Sequence, residues 1–250
     1  MYRLFLYLPS EFPPEEKKTT TMKVKFGVII IDGRGKLGGH VASKNRAGSF
    51  FRTKVTPVNP QTSYQLRIRN RFTGISQAWR GIEQTARDAW NAAVSDYART
   101  DIFGDLRNPT GFNLYQKLNN NLSTVGAPQI TTPPLPQAVG KIVVIDLYLE
   151  SYTFAVWIDL KNDVPVNTYG KVFMTAPLSP GINFAVAEYR LVTIFPPGTN
   201  YITNITNQYL TKFGKSIKIG QKAFAKVVAV NGTTGQAGTP SQASKIVIEQ

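Results

Sequence analysis

Apolar residues follow a helical spacing in the middle of the chain and a strand spacing on either side of it. The β-branched run at residues 22–31 and the run at 48–58 predict two strands. The glycine-rich segment between these runs predicts the connection of a long β-hairpin. Residues 1–21 contain three prolines and a polar stretch, so they predict an extended arm, and Met22 is an alternative start.

Three helices are predicted between residues 60 and 126, where apolar positions recur at intervals of three and four. The first helix begins near Pro60 and ends near Gly81, and its apolar face consists of Ile68, Phe72, Ile75, Trp79 and Ile82. The second is predicted within 83–100, with Thr85 as its cap. The third is predicted within 108–126, with Gly126 closing it.

The last part of the chain has the pattern of a β-domain. Residues 127–140 contain four prolines and predict a linker, and beyond them short β-type runs alternate with turn clusters. This spacing is typical of a sandwich of the immunoglobulin or fibronectin III type. The pattern therefore predicts an α+β chain with two domains: a basic β-hairpin and helical domain at 22–126, and an all-β sandwich at 141–250.

Composition excludes several kinds of site. Apolar residues make up 42% of the 250 residues, which is enough for a packed core, and cysteine is absent. With one histidine, a Cys/His zinc site is excluded, and so is any Ser–His or Cys–His unit that does not use His40. No apolar stretch reaches the ~20 residues that span a bilayer, and the apolar opening lacks a signal-peptide cleavage site.

Positive charge is concentrated in one fifth of the chain. The net charge is +14, and the segment from Gly33 to Ile82 holds ten basic residues and no acidic one. Such an excess predicts an acidic partner: nucleic acid, an anionic membrane or an acidic protein surface. The residues predicted to contact it are Arg34, Lys36, Lys44, Arg46, Arg52, Lys54, Arg67, Arg69 and Arg71. The alternative is a solvated surface whose charges serve solubility.

Three glycines in this segment match the G-x-G-x-x-G spacing of a dinucleotide-binding loop: Gly33, Gly35 and Gly38. That loop needs a helix opening at the third glycine and an acidic residue roughly 20 positions later. The pattern predicts a strand there, and no acidic residue occurs before Glu83. We therefore predict no nucleotide cofactor. We interpret the glycines as positions where the backbone can lie close against a neighbouring molecule.

Other residues allow more than one interpretation. On a helix Arg67 and Arg71 share a face that Arg69 does not, so contact with nucleic acid would be to phosphates and without sequence preference. Trp79 and Trp90 are most simply core and rim of a helical hairpin, and a base-stacking platform is the alternative.

The acidic residues near position 100 are also open to two interpretations. Asp101, Asp105 and Asn108 are interpreted as turn and cap residues, against a cation loop or carboxylate chemistry. No metal site is predicted from them.

Residues 35–134 combine a glycine-rich basic segment with three motifs. A glycine-rich basic segment leads into "VTPVNPQT", "SQAWRGIEQTARDAWNAAV" follows, and "TGFNLY" comes last. Together they resemble a protein family of bacteriophages and prophage-like regions, notably of Bacteroidetes hosts, in which a β-sandwich often follows. The resemblance implies a phage origin and a structural place in the virion, and it supplies no catalytic residues. The segment before Met22 departs from the family pattern.

We therefore expect a non-enzymatic virion protein, a capsid-associated minor or decoration subunit assembled in the host bacterial cytoplasm. Its basic hairpin and arm would bind acidic capsid protein or packaged DNA. The expected partners are the major capsid protein or neighbouring structural subunits and further copies of the chain, with no membrane. The alternative is a phage-encoded DNA-binding protein without sequence preference. Enzymatic activity stays open only as carboxylate chemistry of Asp101 and Asp105.

Overall fold

The chain divides into two compact units, Met1–Thr62 and Ser63–Gln250. The computed structural model describes residues 21–25, 33–45, 48–56, 58–150 and 154–247. The division falls inside residues 22–126, which the sequence assigns to one domain, so the helices share a unit with the C-terminal strands. Of the predicted arm only Thr21 is among the described residues, and Arg46 also lies outside them.

The N-terminal unit contains a four-stranded antiparallel sheet with the strand order β1-β4-β3-β2. Its strands are β1 Thr21–Val24, β2 Gly35–Leu37, β3 His40–Asn45 and β4 Gly48–Thr53. The two strands predicted at residues 22–31 and 48–58 do pair with each other, since β1 and β4 are neighbours. The segment predicted as a loop is itself the β2–β3 hairpin, because Gly38, with a φ of 55°, and Gly39 form a two-residue turn.

This sheet has no core of its own among the described residues. None of the described residues before Ser63 is buried, and Met22 and Leu37 expose 59% and 69% of their surface. Phe50 and Phe51 are half-buried. Both faces of the sheet therefore keep side chains open to contact.

Three α-helices begin the C-terminal unit within the predicted ranges. They are α1 Ser63–Gly81, α2 Gln84–Ala92 and α3 Gly111–Val125, and a 3-10 helix, Ala93–Tyr97, continues α2. Gly126 ends α3 with a φ of 77°, as predicted. The predicted cap at Thr85 is wrong: Glu83 holds the N-cap position, so Thr85 lies inside the first turn.

The helices enclose a small apolar core. Its fully buried members are Ile75, Trp90, Leu114, Tyr115 and Leu118, and Trp79 packs at its edge. The two tryptophans are thus core and rim, as interpreted from the sequence. The predicted apolar face of α1 is buried only in its C-terminal half, because Phe72 remains 55% exposed and Ile68 40%.

Seven further strands form two antiparallel sheets, with the orders β10-β9-β12-β13 and β11-β8-β7. The strands are β7 Val144–Glu150, β8 Ala155–Leu160, β9 Thr168–Met174, β10 Arg190–Phe195, β11 Ile202–Asn204, β12 Lys222–Asn231 and β13 Ser241–Ile246. A short hairpin of β5 Arg99–Thr100 and β6 Leu106–Arg107 lies before α3. Residues 201–220, for which no element is predicted, contain β11 and the helix α4 Thr206–Phe213.

Both sheets contribute to one apolar core. Alternate residues of β12, from Ala223 to Ala229, are buried in it, as are Leu147 and Ile158 from the other sheet. Tyr209 of α4 is also buried there and donates a hydrogen bond to the Thr175 carbonyl at 3.1 Å. The predicted mixed α+β class is confirmed by these helices and antiparallel sheets.

The proline-rich segment at 127–140 is tied to its surroundings. The Asn119 side chain donates to the Ile130 carbonyl at 3.1 Å and accepts from its N–H at 2.8 Å. Gln236, in the turn between β12 and β13, donates to the Leu135 carbonyl at 2.6 Å and to the Tyr97 hydroxyl at 2.9 Å. The segment therefore fastens the helices to the sheets within the C-terminal unit.

An ion pair joins the edges of the two sheets and predicts a pH effect. Lys245 Nζ donates to Asp146 Oδ2 at 2.8 Å, and the Leu147 N–H donates to Asp146 Oδ1 at 2.7 Å. Burial alone would raise the pKa of Asp146, but these two contacts outweigh it and lower the pKa. The stabilisation is therefore present above the unfolded-state pKa of about 3.9 and is lost as the pH falls through the lower folded-state value.

We expect Asp146→Asn to lower the free energy of unfolding at pH 7 by up to about 1 kcal/mol, because both side chains remain partly exposed. The difference from the unsubstituted protein should shrink as the pH falls below about 4. Urea unfolding at pH 7 and pH 3 measures both values. Asp96→Asn, at an exposed carboxylate, is the matched control, and an equal loss at both pH values would contradict the assignment.

Candidate anion-binding surface

The strand register of the N-terminal unit places three cations on one face of its sheet. Directly opposed residues lie on the same face, and every second residue along a strand returns to that face. Val41 lies opposite both Arg52 and Lys36. Lys23 lies opposite Phe50, which is two residues from Arg52. We call Lys23, Lys36 and Arg52, all exposed, the basic face.

The other predicted contact residues of this unit are distributed differently. Lys44 lies opposite Ser49 and so belongs to the other face of the sheet. Arg34 and Lys54 are exposed just outside the strands. Gly38 is the third glycine of the G-x-G-x-x-G match, and with Gly39 it forms the turn that leads into strand β3. A dinucleotide-binding loop would require a helix to begin there.

A second group of cations lies in the C-terminal unit and draws on four elements. We call it the cation row, and its members are Arg67, Arg71, Lys171, Arg190 and Lys212. Arg67 and Arg71 are one turn apart on α1 and share a face, as the sequence predicts, while Arg69 lies on another side of that helix. Strand β9 supplies Lys171, β10 supplies Arg190 and α4 supplies Lys212.

Neutral groups hold the ends of these side chains. Arg71 Nη1 donates to Thr124 Oγ1 at 2.7 Å, and Lys171 Nζ donates to Asn121 Oδ1 at 2.8 Å; both acceptors belong to α3. The ring of Tyr64 is contacted by Lys212 Nζ at 4.3 Å and by the Arg67 guanidinium carbon at 5.3 Å from the ring centroid.

The fifth member of the row, Arg190, is held by backbone carbonyls. Its Nη1 donates to the carbonyls of Ala187 and Tyr189 at 2.8 and 3.1 Å. The row is thus oriented by hydrogen bonds and ring contacts, and no carboxylate of the described residues pairs with it.

The cations of the row repel one another. Burial, and after it the charge of Arg71, lowers the pKa of Lys171. Burial also lowers the pKa of Lys212, and the charges of Arg67 and Arg190 lower it further. Within the part of the chain that the structure describes, the ion pairs join Arg107 to Asp101 and Asp105, and Lys245 to Asp146; none involves the row.

An oxyanion placed along the row would relieve this repulsion. Guanidinium groups bind carboxylates and phosphates through paired hydrogen bonds, and ammonium groups bind them as point charges. Three members, Lys171, Arg190 and Lys212, were not predicted as contact residues. Lys171 has no sequence signal of its own, because a lysine between buried residues of a strand is the ordinary outward position.

The residues considered for chemistry have structural roles. The Asp101 carboxylate accepts the N–H groups of Phe103 at 2.8 Å and Asp105 at 3.1 Å, as a turn residue does. Burial would raise its pKa, but these bonds and Arg107 lower it. His40 is exposed at the start of β3. Trp90 is fully buried, so it offers no ring for base stacking.

Across residues 21–25, 33–45, 48–56, 58–150 and 154–247, no group of three or more His, Cys, Asp or Glu side chains is placed to hold a metal ion. In the same ranges, no helix combines the length and apolar character needed to cross a membrane.

No protein-family model matches the chain, and no curated protein matches it. Among solved structures it is similar to a β-1,2-glucanase from Parabacteroides distasonis, with 17% sequence identity and a TM-score of 0.30. The similarity covers 48% of this chain and 14% of the length of the glucanase chain.

Proposed function

We propose that this chain is a non-enzymatic structural protein of a bacteriophage virion, a capsid-associated minor or decoration subunit. The observation that carries the proposal is the cation row: five converging cations that have no ion-pair partner among the described residues. Such a row favours the docking of an acidic protein surface, which would supply the missing carboxylates. The phage-like motifs of residues 35–134 support the origin.

The basic face of the N-terminal unit supports the same function. Its three cations stand on one face of the sheet, and the other face exposes the apolar side chains of Met22 and Leu37 together with Lys44. A surface of mixed apolar and basic character is suited to a protein partner. We propose that neighbouring virion subunits, including further copies of this chain, cover it.

We also propose that the seven C-terminal strands form a sandwich of the immunoglobulin or fibronectin III type. Their division supports this: the first, second and fifth strands form one sheet, and the third, sixth and seventh form the other. That is the distribution of an immunoglobulin-like domain, and the fourth strand, β10, joins the second sheet beside β9. Many cell-surface domains share this architecture, which is compatible with a subunit on a particle.

Binding of DNA without sequence preference is the alternative function. It is favoured by Tyr64, which is 40% exposed and is contacted by Lys212 and Arg67. Aromatic rings beside cations are typical of surfaces that bind nucleic acid through phosphates and bases.

Mass spectrometry of purified particles tests the proposed function directly. We expect the chain in particles made by a host that carries its gene, at a constant ratio to the major capsid protein. Its absence from the particles would contradict the proposal.

The role of the cation row is tested by the triple variant Arg67→Ala, Arg71→Ala, Lys212→Ala. We expect its affinity for an acidic polypeptide, with polyglutamate as the probe, to fall by about tenfold, because each partly exposed pair contributes roughly 0.5 kcal/mol. The matched control removes three exposed cations of the same unit: Arg80→Ala, Lys215→Ala, Lys218→Ala. Equal affinities for the two variants would contradict the assignment.

Duplex DNA of random sequence is the second probe in this experiment. The alternative function predicts tight binding at low salt with a steep salt dependence. The triple variant would then lower the slope of log affinity against log salt concentration by about three. A flat salt response of the unsubstituted protein would exclude DNA as the partner of the row.

A further inference from the structure

A cavity of about 320 Å³ lies in the C-terminal unit between the β5–β6 hairpin and α3. Tyr97, Pro109 and Leu114 form its apolar walls, and Arg99, Arg107 and Lys117 surround it. Small-molecule sites in proteins have volumes of roughly 300–1,000 Å³, with apolar walls and a few converging polar groups. The cavity has both features, and none of its lining residues belongs to the cation row.

The hairpin places two arginines directly opposite each other, since Arg99 pairs with Arg107 across β5 and β6. Like charges in this position destabilise a strand pair. Arg107 is compensated, because its Nε lies 3.4 Å from Asp101 Oδ2 and its Nη2 lies 3.3 Å from Asp105 Oδ2. Arg99 has no such partner among the described residues.

Lys117 adds a second uncompensated cation on the opposite side of the cavity. It is exposed on α3 and makes no ion pair within the described ranges. Desolvation, and after it the charge of Arg99, lowers the pKa of Lys117. Arg99 and Lys117 therefore face a common space and repel each other across it.

We propose that this cavity binds a small organic oxyanion, with its phosphate or carboxylate between Arg99 and Lys117 and its apolar part against Tyr97 and Pro109. The bound anion supplies the negative charge that faces Arg99, because the carboxylates of the hairpin pair with Arg107. The walls exclude water from one side of the anion and so strengthen both charged contacts. This site is independent of the proposed function, because it uses a different surface of the same unit.

Titration of the full-length, ¹⁵N-labelled protein with phenyl phosphate, benzoate and benzyl alcohol tests the proposal. We expect saturable shifts of the amide signals of Tyr97, Asn108 and Leu114 with one or both anions at millimolar concentration, and none with the neutral alcohol. A stronger response to phenyl phosphate assigns the site to phosphates, and a stronger response to benzoate assigns it to carboxylates. No saturable shift at these amides with either anion, or equal shifts with benzyl alcohol, would overturn the proposal.

The double variant Arg99→Ala, Lys117→Ala is expected to weaken anion binding by about tenfold or more, because two charged contacts are lost. Lys215→Ala, Lys218→Ala removes the same charge from an exposed turn of the same unit and should leave the affinity unchanged. Equal weakening in both variants would show that only the overall charge matters and would contradict a site. Because both replaced side chains are exposed, the fold is expected to persist in the variant. The titration of the unsubstituted protein tests the proposal whether or not the variant folds.

Discussion

Replacement of Trp90 with alanine is expected to lower the free energy of unfolding by about 3–5 kcal/mol. The indole is fully buried at the centre of the helical core and meets the ring of Tyr115 edge to face, with centroids 5.3 Å apart. Its Nε1 donates to the Thr131 carbonyl at 2.7 Å, which anchors the proline-rich segment. The substitution therefore creates a cavity and releases that segment at the same time.

Two other variants separate these effects. Trp90→Phe retains most of the ring but leaves the Thr131 carbonyl without its donor, so we expect a loss of about 1–3 kcal/mol. Trp79→Phe, at the half-buried tryptophan of the rim, should lower the free energy of unfolding by less than Trp90→Phe does. Urea unfolding followed by circular dichroism measures all three. A loss below about 1 kcal/mol for Trp90→Ala would contradict the central position assigned to this residue.

Replacement of Gly235 with alanine is expected to cost about 2–4 kcal/mol. The glycine has a φ of 69°, which disfavours any residue with a Cβ, and it lies in the turn that contacts α3. An added Cβ would collide with the Leu118 carbonyl oxygen and stand 3.0 Å from Leu122 Cγ. The turn and the helix would have to separate, which would also break the bond from Asn121 to the Gly235 carbonyl, now 2.8 Å long.

Gly214 provides a matched control for this substitution. Its φ of 64° is similar, but an added Cβ would meet nothing within 4 Å. Gly214→Ala should therefore show only the cost of the backbone conformation, about 1 kcal/mol. Thermal unfolding of the two variants measures the difference, which isolates the close approach of the turn to α3. Equal losses would mean that this approach contributes nothing to stability.

The sequence predicted those parts of the fold that depend on local spacing. The recurrence of Ile75, Trp79 and Ile82 predicted α1, and the alternation of β-type residues predicted most of the C-terminal strands. The pairing of Arg67 with Arg71 on one face followed from helical geometry alone. In each case the signal lies within about ten residues, so no knowledge of tertiary contacts is needed.

The remaining features depend on contacts between distant segments. Lys171 and Lys212 join the row only because the fold brings their side chains near those of α1, and no spacing in the sequence encodes that. The opposition of Arg99 to Arg107 likewise depends on a hairpin of two-residue strands, too short for a periodic signal. The proline-rich composition of 127–140 predicted a linker, but its hydrogen bonds to Asn119 and Gln236 fasten the helices to the sheets.

The contact between α3 and the turn after β12 also bears on how the protein is made. Asn121 and its partner Gly235 are 114 positions apart, and Tyr97 and Gln236 are 139 apart. At about 5–20 residues per second, a ribosome needs roughly 6–23 seconds between the first pair. During that interval the nascent helices lack the turn that packs on them. We therefore expect the nascent chain to bind chaperones and to aggregate most readily before residues 231–236 emerge from the ribosome.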